Sequence, residues 1–335
     1  VALTKNMMSS NAVVDEEGRR FDVGLNWVVR VVGVIGALLC VVLLSLAGDP
    51  IIHGHPAYWI ALALTFIVSL AAMIRTFWSR RTNSTVRRIG RSLLVVLSIG
   101  WLAIVGWLMP AGATDTALQA LASDSSVTVV DSPTQVALIP SADVGATGFL
   151  FQPGAKVDAR AYVSALRPLA LAGHVVVIAK QPLGIAFLAT NAIDSARSEF
   201  PNVTKWVVGG HSLGGTVAAL QATGAQVQSS DSGSASVAPI VGLVLFASYP
   251  AADMSNSNMP VLSLSGEKDG LSTPGAIAAS RPNLPSSTTF IEIPGANHAS
   301  FGDYGMQFGD GVATASLANS HAAITKATLD FVNAH

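Results

Sequence analysis

Three long apolar runs, residues 27–47, 58–78 and 93–109, constrain this chain more than any other feature. Each approaches the roughly 20 residues that a helix needs to cross the hydrocarbon of a bilayer. Packed instead into a water-soluble core, three such runs in close succession would need more covering polar structure than the segment holds. The first run carries Arg30 near its start, where a long stem lets the charge reach the headgroups. The third is the shortest, but Trp101 and Trp107 give it interfacial character. A cleaved signal peptide fits the first run poorly, because that run is too long and two more follow it. The pattern predicts a membrane domain over residues 1–110 with three transmembrane helices.

Charge orients these helices. Through Pro110 the chain has ten Lys and Arg against five Asp and Glu; beyond it the count is nine against fifteen. Arg80, Arg81, Arg87 and Arg88 lie between the second and third runs, flanked by Arg75 and Arg91. Residues 48–57 and 110–155 contain no Lys or Arg at all. Basic loops stay in the cytoplasm. The expectation is a multi-pass protein of the plasma membrane, with a cytoplasmic N-terminus and everything after residue 109 outside. Between two spans the arginine cluster is a topology signal rather than a nucleic-acid patch, so no nucleic-acid partner is expected. A single cysteine, Cys40, excludes an intrachain disulfide.

Residues 111–134 are small, polar and acidic and are expected to form a linker with one short helix. From residue 127 onward, strand-like runs at 127–130, 135–139, 147–151, 175–179, 206–208, 242–247, 261–265 and 289–293 alternate with helical patterns. The helical candidates are 159–172, 190–200, 216–222, 274–280 and 313–333. That alternation predicts an α/β domain over 135–335, a mostly parallel sheet with helices on both faces. The Ser/Gly-rich stretch 225–239 reads as a flexible loop at the edge away from the strands' C-terminal ends, and so away from where such sheets bind ligands.

At the centre of this half stands "VVGGHSLGGTVAAL", in which Gly210-His211-Ser212-Leu213-Gly214 matches G-x-S-x-G. The pattern alone is short; its setting between an apolar strand and an apolar helix makes it specific. Glycines permit the sharp turn that would hold Ser212 exposed at the strand's end. A serine hydroxyl needs a base to take its proton, and the base needs an orienting acid. "VLSLSGEKDG" puts Asp269 just past a strand, and "FIEIPGANHASFGDYG" puts His298 past the next. That order, Ser then Asp then His, is the one this arrangement requires. Asp253, one strand earlier in a polar stretch, is the competing acid. His211 reads as structural. The two amides of an oxyanion hole are expected from Leu213 and from Gly154 or Ala155 in "FLFQPGAKV".

From about residue 135 onward the chain resembles the α/β-hydrolase superfamily. The segment from "FQPGAKVDARAY" to "QPLGIAFL", together with "GGHSLGG" and "GANHASFGDYG", resembles its fold-5 branch, related to the dienelactone hydrolases. The resemblance implies a nucleophile at Ser212, an acid at Asp269 and a base at His298. It departs at Gln152-Pro153-Gly154, where many lipases have a His-Gly motif. Only about a dozen residues separate the strand ending near Ser248 from the one starting at Val261, too few for a cap domain. The resulting expectation is a membrane-anchored serine hydrolase with an open site, acting on small-molecule, lipid or envelope esters without cofactor or metal. An acyltransferase using the same triad and a non-catalytic membrane protein on a hydrolase fold are the alternatives.

Overall fold

The computed structural model describes residues 2–78, 84–142, 144–231 and 237–335, with side chains described from residue 16 onward except at 225–231. Arg80, Arg81 and residues 232–236 of the Ser/Gly-rich stretch lie outside the described residues. Two compact units are present, Val1–Gly48 with Ala57–Met109, and Asp49–Pro56 with Pro110–His335.

The first unit is helical. Helix α1 (Ala2–His53) breaks at Ala47, whose φ of −136° is non-helical, three residues before Pro50; proline cannot accept the helix continuing through it. α2 (Ala57–Trp78) and α3 (Thr85–Trp107) follow. Over Glu16–His53, α2 and α3 all three helices are long and apolar enough to cross a membrane. α3 starts several residues earlier than the apolar run it contains, because Arg87, Arg88 and Arg91 continue the helix as good helix formers. Arg30 Nε donates to Thr76 Oγ1 at 2.8 Å, Trp101 Nε1 donates to Thr65 Oγ1 at 2.9 Å, and Arg88 Nε donates to Asp22 Oδ1 at 3.2 Å. Each bond ties two helices at a polar group that lipid would leave unsatisfied.

The second unit is an α/β domain. Its strands are β1 (Val127–Asp131), β2 (Gln135–Pro140), β3 (Thr147–Gln152), β4 (Val176–Ala179), β5 (Lys205–His211), β6 (Ile240–Phe246), β7 (Val261–Gly266) and β8 (Thr289–Ile293). They form one sheet in the order β1-β2-β4-β3-β5-β6-β7-β8. β1, β2 and β4 pair antiparallel, and every pair from β4 through β8 is parallel. Side chains alternate between faces along each strand. Phe149, Phe151, Val207 and Phe246 therefore join one core, while Leu150, Val208, Leu243 and Leu245 join the other. α5 (Val163–Leu171) and α9 (Leu317–Ala334) bring Leu166 and Ile324 to the first core. α6 (Ala192–Glu199) and α7 (Leu213–Asp231) bring Ile193, Ala218 and Ala219 to the second.

Three expectations need correction. Residues 111–134 carry the expected short helix, α4 (Asp115–Gln119), and the expected strand at 127–130, β1, but they are part of the α/β unit rather than a linker: α4 buries Ala117 completely, and β1 pairs with β2 along its length. α7 extends to Asp231, well into the stretch read as a loop, since Ala225, Gln226 and Gln228 are adequate helix formers despite the serines after them. Residues 49–56, expected in the membrane domain, belong to the α/β unit. Arg160, 4% exposed, pairs with Asp158 and with Asp49 at 2.5 Å each, and Lys180 Nζ donates to the His53 carbonyl at 2.5 Å. Between β6 and β7, residues 247–260 contain no helix, so no cap domain is inserted there.

Candidate active site

β5 ends at His211 and α7 starts at Leu213, leaving Ser212 alone between strand and helix. A turn that sharp requires a left-handed residue, and Ser212 has φ +52°. Its amide donates to the Phe246 carbonyl at 2.9 Å, and its carbonyl accepts from Gly215 N at 3.0 Å and Ser248 Oγ at 2.6 Å. The flanking glycines are steric necessities. A β-carbon on Gly214 would fall on the carbonyl oxygens of Gln152 and Pro153, and one on Gly210 would fall on the Gly214 backbone. Leu213, as the first helical residue, has no carbonyl one turn back for its amide, which leaves that N–H available beside the serine.

Asp269 and His298 come from the loops after β7 and β8. Asp269 Oδ1 accepts from the amides of Leu271 and Ser272, both at 2.8 Å, and Oδ2 accepts from His298 Nδ1 at 2.9 Å. Both side chains are buried. With Nδ1 carrying the proton to the carboxylate, Nε2 is the basic nitrogen. His298 opens a 3₁₀ turn (His298–Phe301) capped by Asn297. Asp310 holds that turn to the acid loop: Oδ1 accepts from Gly270 N and His298 N, each at 3.1 Å, and Oδ2 accepts from Ala299 N at 2.9 Å.

His211, beside the serine in sequence, is wholly buried, and its ring centroid lies 4.4 Å from that of His298. Burial, reinforced by the neighbouring His298, holds its pKa well below the ordinary imidazole value, so it is neutral. Tyr162 Oη accepts from Gly154 N at 3.0 Å and lies 2.8 Å from His211 Nδ1, within hydrogen-bonding distance. The loop after β3 is thus fastened to the elbow through one tyrosine.

The sequence matches the alpha/beta hydrolase family over residues 148–322. The chain belongs to the alpha/beta hydrolase family. No curated protein sequence matches it. Among solved structures, a predicted CIB-like hydrolase of Thermoplasma acidophilum aligns at TM-score 0.45 and 14% identity, over 63% of this chain and 98% of its own. An esterase of Pyrobaculum calidifontis aligns at 0.46 and 14%, over 65% and 88% of the two chains. A propionate-bound esterase of Thermogutta terrifontis aligns at 0.41 and 13%, over 62% and 93%.

In this alpha/beta hydrolase, Ser212, Asp269 and His298 follow the C-terminal ends of β5, β7 and β8, parallel strands of one sheet, and the acid–base pair is in contact. Asp253 stands apart from that pair: its side chain is exposed and accepts from its own loop, Ser255 N at 2.8 Å. Of the two oxyanion candidates after β3, Gly154 has its amide engaged by Tyr162, whereas the Ala155 amide has no acceptor among the described residues. The hydrolase brings in two residues that sequence reasoning did not single out. Tyr162 lies in a helical stretch where an aromatic reads as core, and Asp310 lies in a Gly-Asp-Gly run that reads as a turn. No group of metal-binding side chains occurs among the described residues.

Proposed function

We propose that the chain is a membrane-anchored serine hydrolase of carboxylic esters, with its hydrolase domain outside the cytoplasm. The observation that carries the proposal is the pairing of a left-handed serine at the end of β5 with a buried Asp269–His298 hydrogen bond at the same edge. Ser212 Oγ attacks the ester carbonyl while His298 Nε2 takes its proton. The tetrahedral oxyanion is met by the amides of Leu213 and Ala155, each worth about 10²–10³ in rate for such a hole. His298 then protonates the departing alcohol, and water, activated by the same imidazole, releases the acid and restores the serine. Asp269 keeps Nε2 free for both transfers and stabilises the imidazolium.

Full-length protein in detergent micelles is expected to react with a fluorophosphonate reporter and to release free acid from short-chain esters. If added alcohol captured most of the acyl group, the enzyme would be an acyltransferase. Failure of both labelling and turnover would end the catalytic reading.

The orientation rests on the arginines beside α2 and α3. In a Cys40→Ser background, Ser286→Cys, at an exposed site of the hydrolase domain, is expected to react with an impermeant thiol reagent on intact cells, and Ser84→Cys to react only after lysis. The reverse pattern would place the hydrolase domain in the cytoplasm.

A further inference from the structure

The loop after the 3₁₀ turn of His298 ends in an apolar tip. Met306, Phe308 and Val312 are 98%, 101% and 84% exposed, and two glycines with φ of +82° and +86°, Gly305 and Gly309, bracket the tip. Side chains this free make no contact that stabilises the fold. Leu271, in the loop after β7, is exposed beside them, within van der Waals reach of Gly309. Across the site, Phe187 and Leu188 are exposed on a turn whose Ala189 carbonyl accepts from Gln152, next to the oxyanion loop. Scattered apolar residues on a surface are ordinary. Six of them on the loops of one sheet edge, flanking one serine, are the mark of a surface that meets something apolar.

The chain itself indicates what that is. α3, a candidate membrane span, ends at Trp107, and the hydrolase unit starts at Pro110. Residues 49–56 of the same unit continue directly into α1 and α2. Both points of entry lie on loops of the site's own edge. Ala111 N donates to Lys156 O at 2.7 Å and Ala111 O accepts from Asp158 N at 2.9 Å, just after β3. Asp49 and His53 hold Arg160 and Lys180, after β3 and β4. Along the chain, the candidate spans therefore join the hydrolase unit at loops of the edge that carries the apolar rim. Beyond Pro110 the chain has nine Lys and Arg against fifteen Asp and Glu, so attraction to anionic headgroups does not drive the contact.

We infer that the active-site edge docks on the bilayer through Phe308, Met306 and the residues flanking them, so that the ester reaching Ser212 is a membrane lipid presented from the headgroup layer. The inference deepens the esterase reading and rests on it for the chemistry, but not for the docking. Apolar side chains inserted at the headgroup boundary lie about 5–10 Å deep. In a Cys40→Ser background, an environment-sensitive fluorophore on Phe308→Cys is read in proteoliposomes of dioleoylphosphatidylcholine carrying spin-labelled acyl chains. Quenching is expected there and not at Asn202→Cys, on the opposite sheet edge. The Met306→Ser/Phe308→Ser variant is expected to lose at least about tenfold in hydrolysis of a long-chain lipid ester. Its turnover of a soluble short-chain ester should stay within about twofold, which a merely unfolded loop would not allow.

A water-exposed, unquenched label at 308 would overturn the docking, as would lipid-ester turnover unchanged by the double variant. Crosslinking of the 308 label to a second copy in place of quenching would make the surface a dimer contact and overturn it too. Quenching without hydrolysis of any ester would leave the docking standing and remove the esterase reading instead.

Discussion

Ser212→Ala is expected to abolish ester hydrolysis and fluorophosphonate labelling while leaving the fold intact. Loss of a serine nucleophile costs about 10⁶-fold in turnover where the triad acts as a unit. The backbone bonds of residue 212, to Phe246, Gly215 and Ser248, use its amide and carbonyl, so alanine keeps all of them. Alanine also inherits the same φ without adding bulk. Initial rates on a short-chain ester, labelling and a thermal melt together check the prediction; labelling that persists would mean another residue is the nucleophile.

The second large effect separates the two candidate acids. Asp269→Asn is expected to lower kcat by two orders of magnitude or more, the loss in comparable triads being about 10⁴-fold. Asparagine retains an oxygen for the amides of Leu271 and Ser272, but its NH₂ cannot accept the Nδ1 proton of His298. The imidazole then favours the tautomer that blunts Nε2 as a base. Asp253→Asn should stay within a few-fold of the parent, because that carboxylate faces solvent and its bonds, from the amide and side chain of Ser255, are also available to an amide oxygen. Steady-state kinetics on both variants decide the matter. A crippled Asp253→Asn beside an active Asp269→Asn would reassign the acid.

The parts of the candidate site that were legible in the chain are those whose placement is written locally. Ser212 sits between glycines that a strand-to-helix turn demands, and Asp269 and His298 each follow an alternating apolar run within a few residues. The sheet was legible for the same reason: each strand carries its own run of buried side chains. What escaped depends on contacts between distant stretches. Tyr162 matters because Gly154 and His211 meet its hydroxyl, and His211 lies 49 residues away. Asp310 matters because it reaches back to Gly270, 40 residues earlier. Residues 49–56 are held to the hydrolase unit by Arg160 and Lys180, more than a hundred positions downstream. No periodicity or turn signal encodes such partners. The length of α7 was missed for a different reason: the serines that follow Gln228 read as a loop, although the residues before them carry the helix on.

The left-handed backbone at residue 212 carries one last implication. An L-residue with a side chain pays about 1–2 kcal/mol to occupy that region, and glycine occupies it freely. Judged by folding alone, residue 212 is the wrong amino acid for its place. A search for sturdier versions of this protein would single out the position early, and every gain made there would remove the one hydroxyl on which the proposed chemistry turns.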